Sequence, residues 1–272
     1  MNRINVRFDE LRRHGRTGLI PFITAGDPSP DATVAIMHAL ADAGADLIEL
    51  GVPFSDPMAD GPVIQHANER ALAHGVGLAQ ILAWVREFRV RDAATPVVLM
   101  GYLNPIEIHG MQRFADEARA AGVDGVLLVD CPVEEIDSTT AIHAAGLARI
   151  FLAAPTTADA RLAAICAAAE GFLYYVSFAG ITGADRLSMD DVRARVALIK
   201  RSAKTPVAVG FGVRDAKSAA AICEFADAVV IGSALVERLA VSADTADACR
   251  RASEFIAPIR SALDARATSH VA

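Results

Sequence analysis

The chain has 272 residues, of which 53% are hydrophobic and 22% are charged, and its formal net charge is −7. This composition excludes a disordered chain, and the negative charge argues against a nucleic-acid-binding protein. A small phosphorylated ligand is compatible with it, because backbone N–H groups can hold a phosphate on an acidic protein. The length fits one α/β domain, and we expect a single domain over residues 1–272.

The chain ends and the cysteines allow further predictions. We predict an N-terminal helix over residues 2–14 and a frayed tail over residues 266–272. The N-terminal residues lack the apolar stretch of a secretory signal, and no apolar run reaches the roughly 18 residues of a membrane span. The four cysteines show no CxxC spacing. We therefore expect a cytoplasmic protein with reduced thiols.

Eight short apolar segments recur along the chain, as expected for parallel strands that are buried on both faces. They cover residues 18–24, 46–51, 96–101, 125–129, 149–153, 172–177, 206–210 and 228–232. Between them, Ala-rich segments place apolar residues three and four positions apart, which predicts crossover helices. These segments cover residues 31–45, 111–123, 134–147, 158–171, 189–203 and 215–226.

Several of the predicted helices end at a glycine, namely Gly44, Gly122 or Gly146. A helix C-terminus often needs a residue that tolerates positive φ, so these glycines support the boundaries. Eight strands that alternate with helices predict a closed (β/α)₈ TIM barrel. An open doubly wound sheet is the alternative fold, but no GxGxxG motif follows the first strand.

Glu49 is a carboxylate inside the second predicted strand, between Ile48 and Leu50. Catalytic groups of such barrels lie at the C-terminal ends of the strands. A carboxylate buried there is unfavourable unless it is paired, hydrogen-bonded or protonated. Two interpretations therefore stay open: an acid-base group with a shifted pKa, and a structural ion-pair or hydrogen-bond partner.

The segment after this strand, residues 52–62, is rich in Pro, Gly and Asp, and we interpret it as a long active-site loop. Asp56 and Asp60 lie in it. Each could act in the site, or could cap a turn or the helix that we expect to start near Val63. His66 follows closely, and we expect a surface or supporting role for it.

Barrels commonly bind phosphate in the loops after the seventh and eighth strands. In this chain those loops are residues 210–213 and 232–234, where small side chains let backbone N–H groups approach an anion and the Ser233 hydroxyl can donate. A third glycine-containing loop, residues 179–184, could complete this cradle or act as a lid. The sequence has no zinc-ligand spacing, GxxxxGK[ST] or GxSxG motif, so we expect neither a metal nor a covalent nucleophile.

Residues 47–65 resemble the signature of the tryptophan synthase α-subunit family. Segments 21–28, 100–105, 130–132, 180–183 and 210–212 are similar to the same family. The resemblance runs from about residue 4 to about residue 265, which is essentially the whole chain. Phe178 departs from the pattern, because many family members carry a basic or polar residue there, and we transfer no role to it.

The resemblance implies a lyase that cleaves indole-3-glycerol phosphate by a retro-aldol reaction into indole and glyceraldehyde 3-phosphate. It makes Glu49 the principal general acid-base group and lets Asp60 interact with the indole N–H. Around the indole it places Phe22, Met100, Leu127, Val129, Tyr174 and Phe211, and at the phosphate it places Gly183, Gly212, Gly232 and Ser233. Tyr102 and Thr182 complete the implied substrate-binding set.

The resemblance also implies a partner, a β subunit that uses pyridoxal phosphate to convert indole to tryptophan within an α₂β₂ complex. The cofactor would belong to that partner, and none is expected in this chain. Three alternatives remain. They are another phosphate-handling barrel enzyme such as an isomerase of the same biosynthetic route, a subunit that only activates its partner, and a free-standing indole-releasing lyase.

Overall fold

Aliphatic segments of the chain form eight parallel strands that close into a barrel in sequence order, with β8 paired to β1. The structure is a computed structural model that describes residues 2–176, 188–210 and 212–269, the last four by their backbone alone. The strands are β1 (Gly18–Thr24), β2 (Ile48–Gly51), β3 (Val97–Gly101), β4 (Gly125–Leu128), β5 (Ala148–Ala153), β6 (Leu173–Val176), β7 (Val207–Gly210) and β8 (Ala228–Ile231). The predicted TIM barrel is confirmed, and the open sheet is excluded.

Helices surround the barrel and connect its strands, as the predicted alternation requires. They are α1 (Arg3–Arg13), α2 (Thr33–Asp42), α3 (Pro62–Ala73), α4 (Leu78–Arg91), α5 (Leu103–His109), α6 (Met111–Ala121), α7 (Thr140–Ala144), α8 (Asp159–Ala168), α9 (Met189–Ser202), α10 (Ala216–Ile222), α11 (Ser233–Leu239) and α12 (Thr245–Ser269). Gly44, Gly122 and Gly146 have φ values of 100°, 91° and 76°, as expected after a helix end. The helix α12 extends into the segment expected to be frayed, of which residues 270–272 lie outside the described part.

One predicted helix, residues 134–147, is wrong as a continuous element. A 3₁₀ helix spans Val133–Thr139, Glu135 leaves helical geometry at φ −101° and ψ 21°, and only α7 is α-helical. The hydroxyls of Ser138, Thr139 and Thr140 each donate to the carbonyl three residues earlier, at 2.7, 2.8 and 2.7 Å. Such local bonds compete with the α-helical pattern, which explains the break.

The strand β2 shows how alternation sets the direction of each side chain. Leu47 belongs to the cluster inside the barrel, whereas Ile48 and Leu50 pack in the cluster between the sheet and the helices. Because successive side chains of a strand point to opposite faces, Glu49 faces the barrel interior. The helix α1 covers the N-terminal end of the barrel with Ile4, Phe8 and Leu11, which are buried in the interior cluster.

A carboxylate just before each even-numbered strand ties the barrel together at its N-terminal end. Asp46 accepts the N–H of Leu19 in β1 (2.9 Å), Asp124 that of Val97 in β3 (2.9 Å), Glu170 that of Arg149 in β5 (3.0 Å) and Asp227 that of Val207 in β7 (2.8 Å). Each also pairs with a cation: Asp46 with Arg260, Asp124 with Arg89, Glu170 with Arg149 and Asp227 with Lys200. We call Asp46, Asp124, Glu170 and Asp227 the basal carboxylates.

Within the described part of the chain, no helix combines the length and the apolar character needed to cross a membrane.

Candidate active site

A cavity of about 970 Å³ opens at the C-terminal end of the barrel. This volume suits a small-molecule ligand, and the position is that of active sites in TIM barrels. Six strands and the loops after them contribute to its wall. The residues that line it include Phe22, Glu49, Asp60, Ile64, Met100, Tyr174, Gly210, Gly212, Val230, Gly232, Ser233, Arg214, Glu237, Arg238 and Arg251.

Glu49 combines complete burial with the absence of a stabilising partner. Its side chain has no exposed surface, and neither carboxylate oxygen has a hydrogen-bond partner among the described residues. Burial alone raises the pKa of Glu49 from 4.5 to about 8, because the apolar surroundings disfavour the charged form. Near neutral pH the side chain is therefore mainly a neutral carboxylic acid that faces the cavity. The structural ion-pair interpretation finds no support in the described part of the chain.

Asp60 lies in the loop between β2 and α3, and three contacts fix the loop around it. The hydroxyl of Tyr102 donates to Oδ2 of Asp60 at 3.1 Å and accepts from the N–H of Ala59 at 3.0 Å. The side-chain amide of Gln65 donates to the Asp60 carbonyl at 2.9 Å. The N-cap of α3 is Gly61, without a side-chain cap, and Pro62 begins the helix. The capping role that the sequence left open for Asp60 at this helix is therefore wrong.

The protonation of Asp60 reflects two opposing effects. Burial raises the pKa of its carboxyl, while hydrogen bonds from Tyr102 and Asn68 oppose the rise because they favour the ionised form. Asn68 is a buried amide on α3 that no sequence pattern singled out. It lies eight positions after Asp60 in a segment whose apolar residues have helical spacing. That spacing does not indicate which face of the helix contacts the loop. Asp56, by contrast, is exposed and accepts a hydrogen bond from the Ser55 hydroxyl.

Two aromatic rings wall the cavity, and each lies beside a glycine. A Cβ at Gly51 would lie 2.5 Å from Cζ of Phe22, and one at Gly210 would lie 2.7 Å from Cε2 of Tyr174. Real Cβ atoms do not approach so closely, so a larger residue at either strand end would force the neighbouring ring to move. Met100 on β3 also lines the cavity. These residues form an apolar wall around Glu49, which accounts for its desolvation.

The other residues that the resemblance places around the substrate lie either deeper in the barrel or outside the described residues. Leu127 is fully buried in the interior cluster that contains Tyr174, and Val129 packs against the same cluster. Neither lines the cavity. Tyr102 contacts Asp60 rather than the cavity itself. Phe211, Thr182 and Gly183, like Phe178, lie outside the described residues.

Another part of the wall is formed by Gly212, Gly232 and Ser233, which we call the glycine side of the cavity. Gly212 has φ of 47°, a conformation that favours glycine, and an added Cβ there or at Gly232 would meet no atom closer than 3.5 Å. The backbone is thus accessible to a ligand on this side. All three residues had been predicted from their places in the loops of the barrel.

Three arginines near the glycine side were missed from the sequence: Arg214 after β7, Arg238 on α11 and Arg251 on α12. No motif marks them, since each stands next to another charged residue in the sequence and is not distinguished from it by spacing. His66 is exposed and does not line the cavity. Within the described ranges, no group of three His, Cys, Asp or Glu side chains is arranged to hold a metal ion.

Comparison with known proteins connects this site to a family. The family model for the tryptophan synthase alpha chain matches residues 8–263. The chain is 62% identical over 267 residues to the tryptophan synthase alpha chain of Xanthomonas oryzae pv. oryzae (strain PXO99A), covering 97% of this chain and 99% of that protein. It is 60% identical over 266 residues to that of Xylella fastidiosa (strain M12), with the same coverage.

The fold agrees with solved structures of the same description. Tryptophan synthase subunit alpha from Legionella pneumophila str. Paris superposes with a TM-score of 0.91 at 44% identity, covering 97% of this chain and 99% of that one. Another Legionella pneumophila alpha-chain structure gives a TM-score of 0.90 at 43% identity and covers 97% and 98%. With the barrel, the cavity and the full-length sequence match taken together, the chain belongs to the tryptophan synthase alpha chain family.

Proposed function

We propose that Glu49 and Asp60 are the acid-base pair with which this chain cleaves indole-3-glycerol phosphate into indole and glyceraldehyde 3-phosphate, the alpha reaction of the family. The observation that carries this assignment is the neutral carboxyl of Glu49, which has no hydrogen-bond partner among the described residues and faces a cavity that Asp60 also lines. Membership of the family makes an isomerase of the same route the weaker alternative. The two residue roles rest on the burial, hydrogen bonds and cavity position of the two carboxyls.

The reaction needs a proton at C3 of the indole ring, because the bond from C3 to the glycerol chain breaks and leaves a carbanion equivalent there. We assign this proton to the neutral carboxyl of Glu49, whose pKa of about 8 lies close to neutral pH. A general acid is most effective when its pKa lies near the working pH. The carboxylate that results can accept the proton of the hydroxyl on the carbon bonded to C3, which becomes the aldehyde carbonyl as the carbon–carbon bond breaks, so one residue can serve both transfers.

Asp60 would act at the ring nitrogen. Protonation at C3 places positive charge on the indole nitrogen, and a carboxylate beside the N–H stabilises that charge. Tyr102 and Asn68 keep the Asp60 carboxylate more ionised than burial alone would allow. They therefore favour the charged form that this role requires.

The two sides of the cavity match the two ends of the substrate. Phe22, Met100 and Tyr174 offer the apolar wall that an indole ring requires. The glycine side offers accessible backbone and the Ser233 hydroxyl for a phosphate. Residues 179–184, the loop predicted to complete the phosphate cradle, lie outside the described residues.

The family implies a β-subunit partner, and we propose that the two form an α₂β₂ complex with pyridoxal phosphate bound by the β subunit. Met58 and Ile108, 77% and 80% exposed, are apolar side chains beside the cavity end of the barrel and suit a protein interface.

We also propose that the reaction takes place in the cytoplasm. Cys131, Cys166 and Cys249 are reduced thiols, which fits a reducing compartment.

The test is steady-state indole release from indole-3-glycerol phosphate, with and without saturating β subunit. Glu49→Gln keeps the size of the side chain but removes the titrating proton, and we expect a loss on the order of 10²-fold or more. For the unsubstituted chain, we expect the β subunit to raise the rate at least ~10-fold, about 1.4 kcal/mol of barrier. Such a rise would follow if the partner orders the loop that carries Asp60.

Glu69→Gln is the matched control, because Glu69 is an exposed glutamate on α3 and should retain the full rate. Near-normal indole release by a folded Glu49→Gln protein would refute the assignment of Glu49. An isolated chain already as fast as the mixture would indicate the free-standing lyase instead.

A further inference from the structure

The mouth of the cavity next to the glycine side carries an excess of positive charge on a chain whose net charge is −7. The mouth is lined by Arg214, Arg238 and Arg251. Among the described residues, the carboxylate of Glu237 lies there as well. Arg251 is neutralised by an ion pair with Asp247 at 2.7 Å. The cations that remain for a ligand are therefore Arg214 and Arg238.

The backbone of Arg214 is held in place at the start of α10. Its N–H donates to the Ser218 hydroxyl at 3.0 Å, and the N-cap Asp215 accepts from the N–H of Ser218 at 2.8 Å. This capping box fixes Arg214 two residues after Gly212. The guanidinium is exposed and has no ion-pair partner within the described ranges, so the charge is available at a defined place on the rim.

Arg238 is held by a different contact. It lies four positions after Ala234 on α11, so the two share a helix face, and both line the cavity. Its guanidinium stacks over the Phe255 ring at 4.9 Å. A stacked guanidinium keeps its N–H donors free at the edge, where they can meet an anion.

We propose that Arg214, assisted by Arg238, is a specificity residue that selects substrates carrying a phosphate dianion and draws them to the glycine side. This inference rests on the proposed function for the identity of the substrate. Backbone N–H groups carry no net charge, so they hold a phosphate that is already in the cavity but attract it little from a distance. Arg214 and Arg238 outnumber the carboxylate of Glu237 at the rim. They add a long-range attraction, which depends on ionic strength because mobile ions screen it over about 8 Å at 0.15 M salt.

The experiment compares Arg214→Gln, Arg214→Lys and the control Lys217→Gln, which removes the same charge three positions away at an exposed site outside the cavity lining. We expect Arg214→Gln to raise the KM for indole-3-glycerol phosphate about 5-fold, with a turnover number changed less than about 2-fold. Arg214→Lys should recover most of the loss. The fall of kcat/KM with added salt should be shallower in Arg214→Gln than in the unsubstituted chain.

A second readout separates this inference from the proposed function. Calorimetric binding of glycerol 3-phosphate needs no catalysis, and its Kd should rise about 5-fold in Arg214→Gln but not in Lys217→Gln. If the unsubstituted chain released no indole, the proposed function would fail while this measurement still tested the arginine. Equal Kd values and equal salt dependence for Arg214→Gln and the unsubstituted chain would overturn the inference.

Discussion

The strand β2 and the segment just before it carry two buried carboxyls with opposite surroundings. Asp46, just before the strand, accepts hydrogen bonds from the N–H of Leu19 and from Arg260. Glu49, inside the strand, has no partner among the described residues. Burial raises the pKa of both, but only at Asp46 do a cation and a backbone N–H oppose the rise. The presence of partners, and not burial, therefore distinguishes the structural carboxyl of Asp46 from the proposed acid-base carboxyl of Glu49.

The same difference separates the two ends of the whole barrel. At the N-terminal end, each basal carboxylate holds one strand to the previous one and is matched by a cation. At the C-terminal end, Glu49 faces an open cavity in its neutral form.

The largest effect that we expect comes from breaking a basal carboxylate. Asp124→Ala would leave Arg89 without its anion and the N–H of Val97 without its acceptor. Removing one partner of a buried ion pair costs about 3–5 kcal/mol. We expect urea unfolding to show a loss of free energy of unfolding of this size. Asp116→Ala, at an exposed aspartate on α6, should change it by less than about 0.5 kcal/mol, and equal stability of the two variants would contradict the comparison.

We expect the buried carboxyl of Glu49 to make the free energy of unfolding depend on pH. Since the pKa of Glu49 is about 8 in the folded chain and 4.5 when the group is exposed to water, the folded state binds the extra proton between these values. The free energy of unfolding of the unsubstituted chain then contains a stabilising contribution that is full below pH 4.5 and is lost as the pH rises through 8. Glu49→Gln lacks this dependence. From pH 5 to pH 9 we expect the variant to gain stability relative to the unsubstituted chain, on the order of a few kcal/mol, and a constant difference across the series would contradict the shifted pKa.

Asp60→Asn tests the second carboxyl of the site. An amide cannot stabilise positive charge at the ring nitrogen as a carboxylate does, so we expect kcat to fall by about 10- to 100-fold. Affinity for a substrate analogue should change much less. Steady-state kinetics with a binding titration separate the two effects, and an affinity that fell as far as kcat/KM would make Asp60 a binding residue.

Tyr102→Phe should have the smallest effect, because it removes one hydroxyl from Asp60 and leaves the ring that stacks on Phe54 at 5.0 Å. A hydrogen bond of this kind contributes about 1 kcal/mol, which corresponds to roughly a 5-fold loss of kcat. The bond lowers the pKa of Asp60, so its removal should move the acidic limb of the pH–rate profile to higher pH. An unchanged acidic limb would show that Tyr102 does not act through Asp60.

Much of the fold could be predicted because its signals are local. Every predicted strand is present with ends within two residues wherever the structure describes them, since a strand buried on both faces requires a continuous apolar run. The error at residues 134–147 has an equally local cause. Three hydroxyl-bearing residues bond to carbonyls of their own turn, and periodicity of apolar residues does not register such bonds.

The sequence by itself determined the barrel, the strand that carries Glu49 and the loop that carries Asp60, because alternation and turn chemistry involve residues that are close along the chain. Only the tertiary structure decided that Asp46 is matched by Arg260, that Glu49 is left neutral, and that Asn68 reaches Asp60. It also brought Arg214 and Arg238 to one cavity mouth from separate elements. The protonation and hydrogen bonding of a side chain depend on neighbours distant in sequence, whose positions no local pattern specifies.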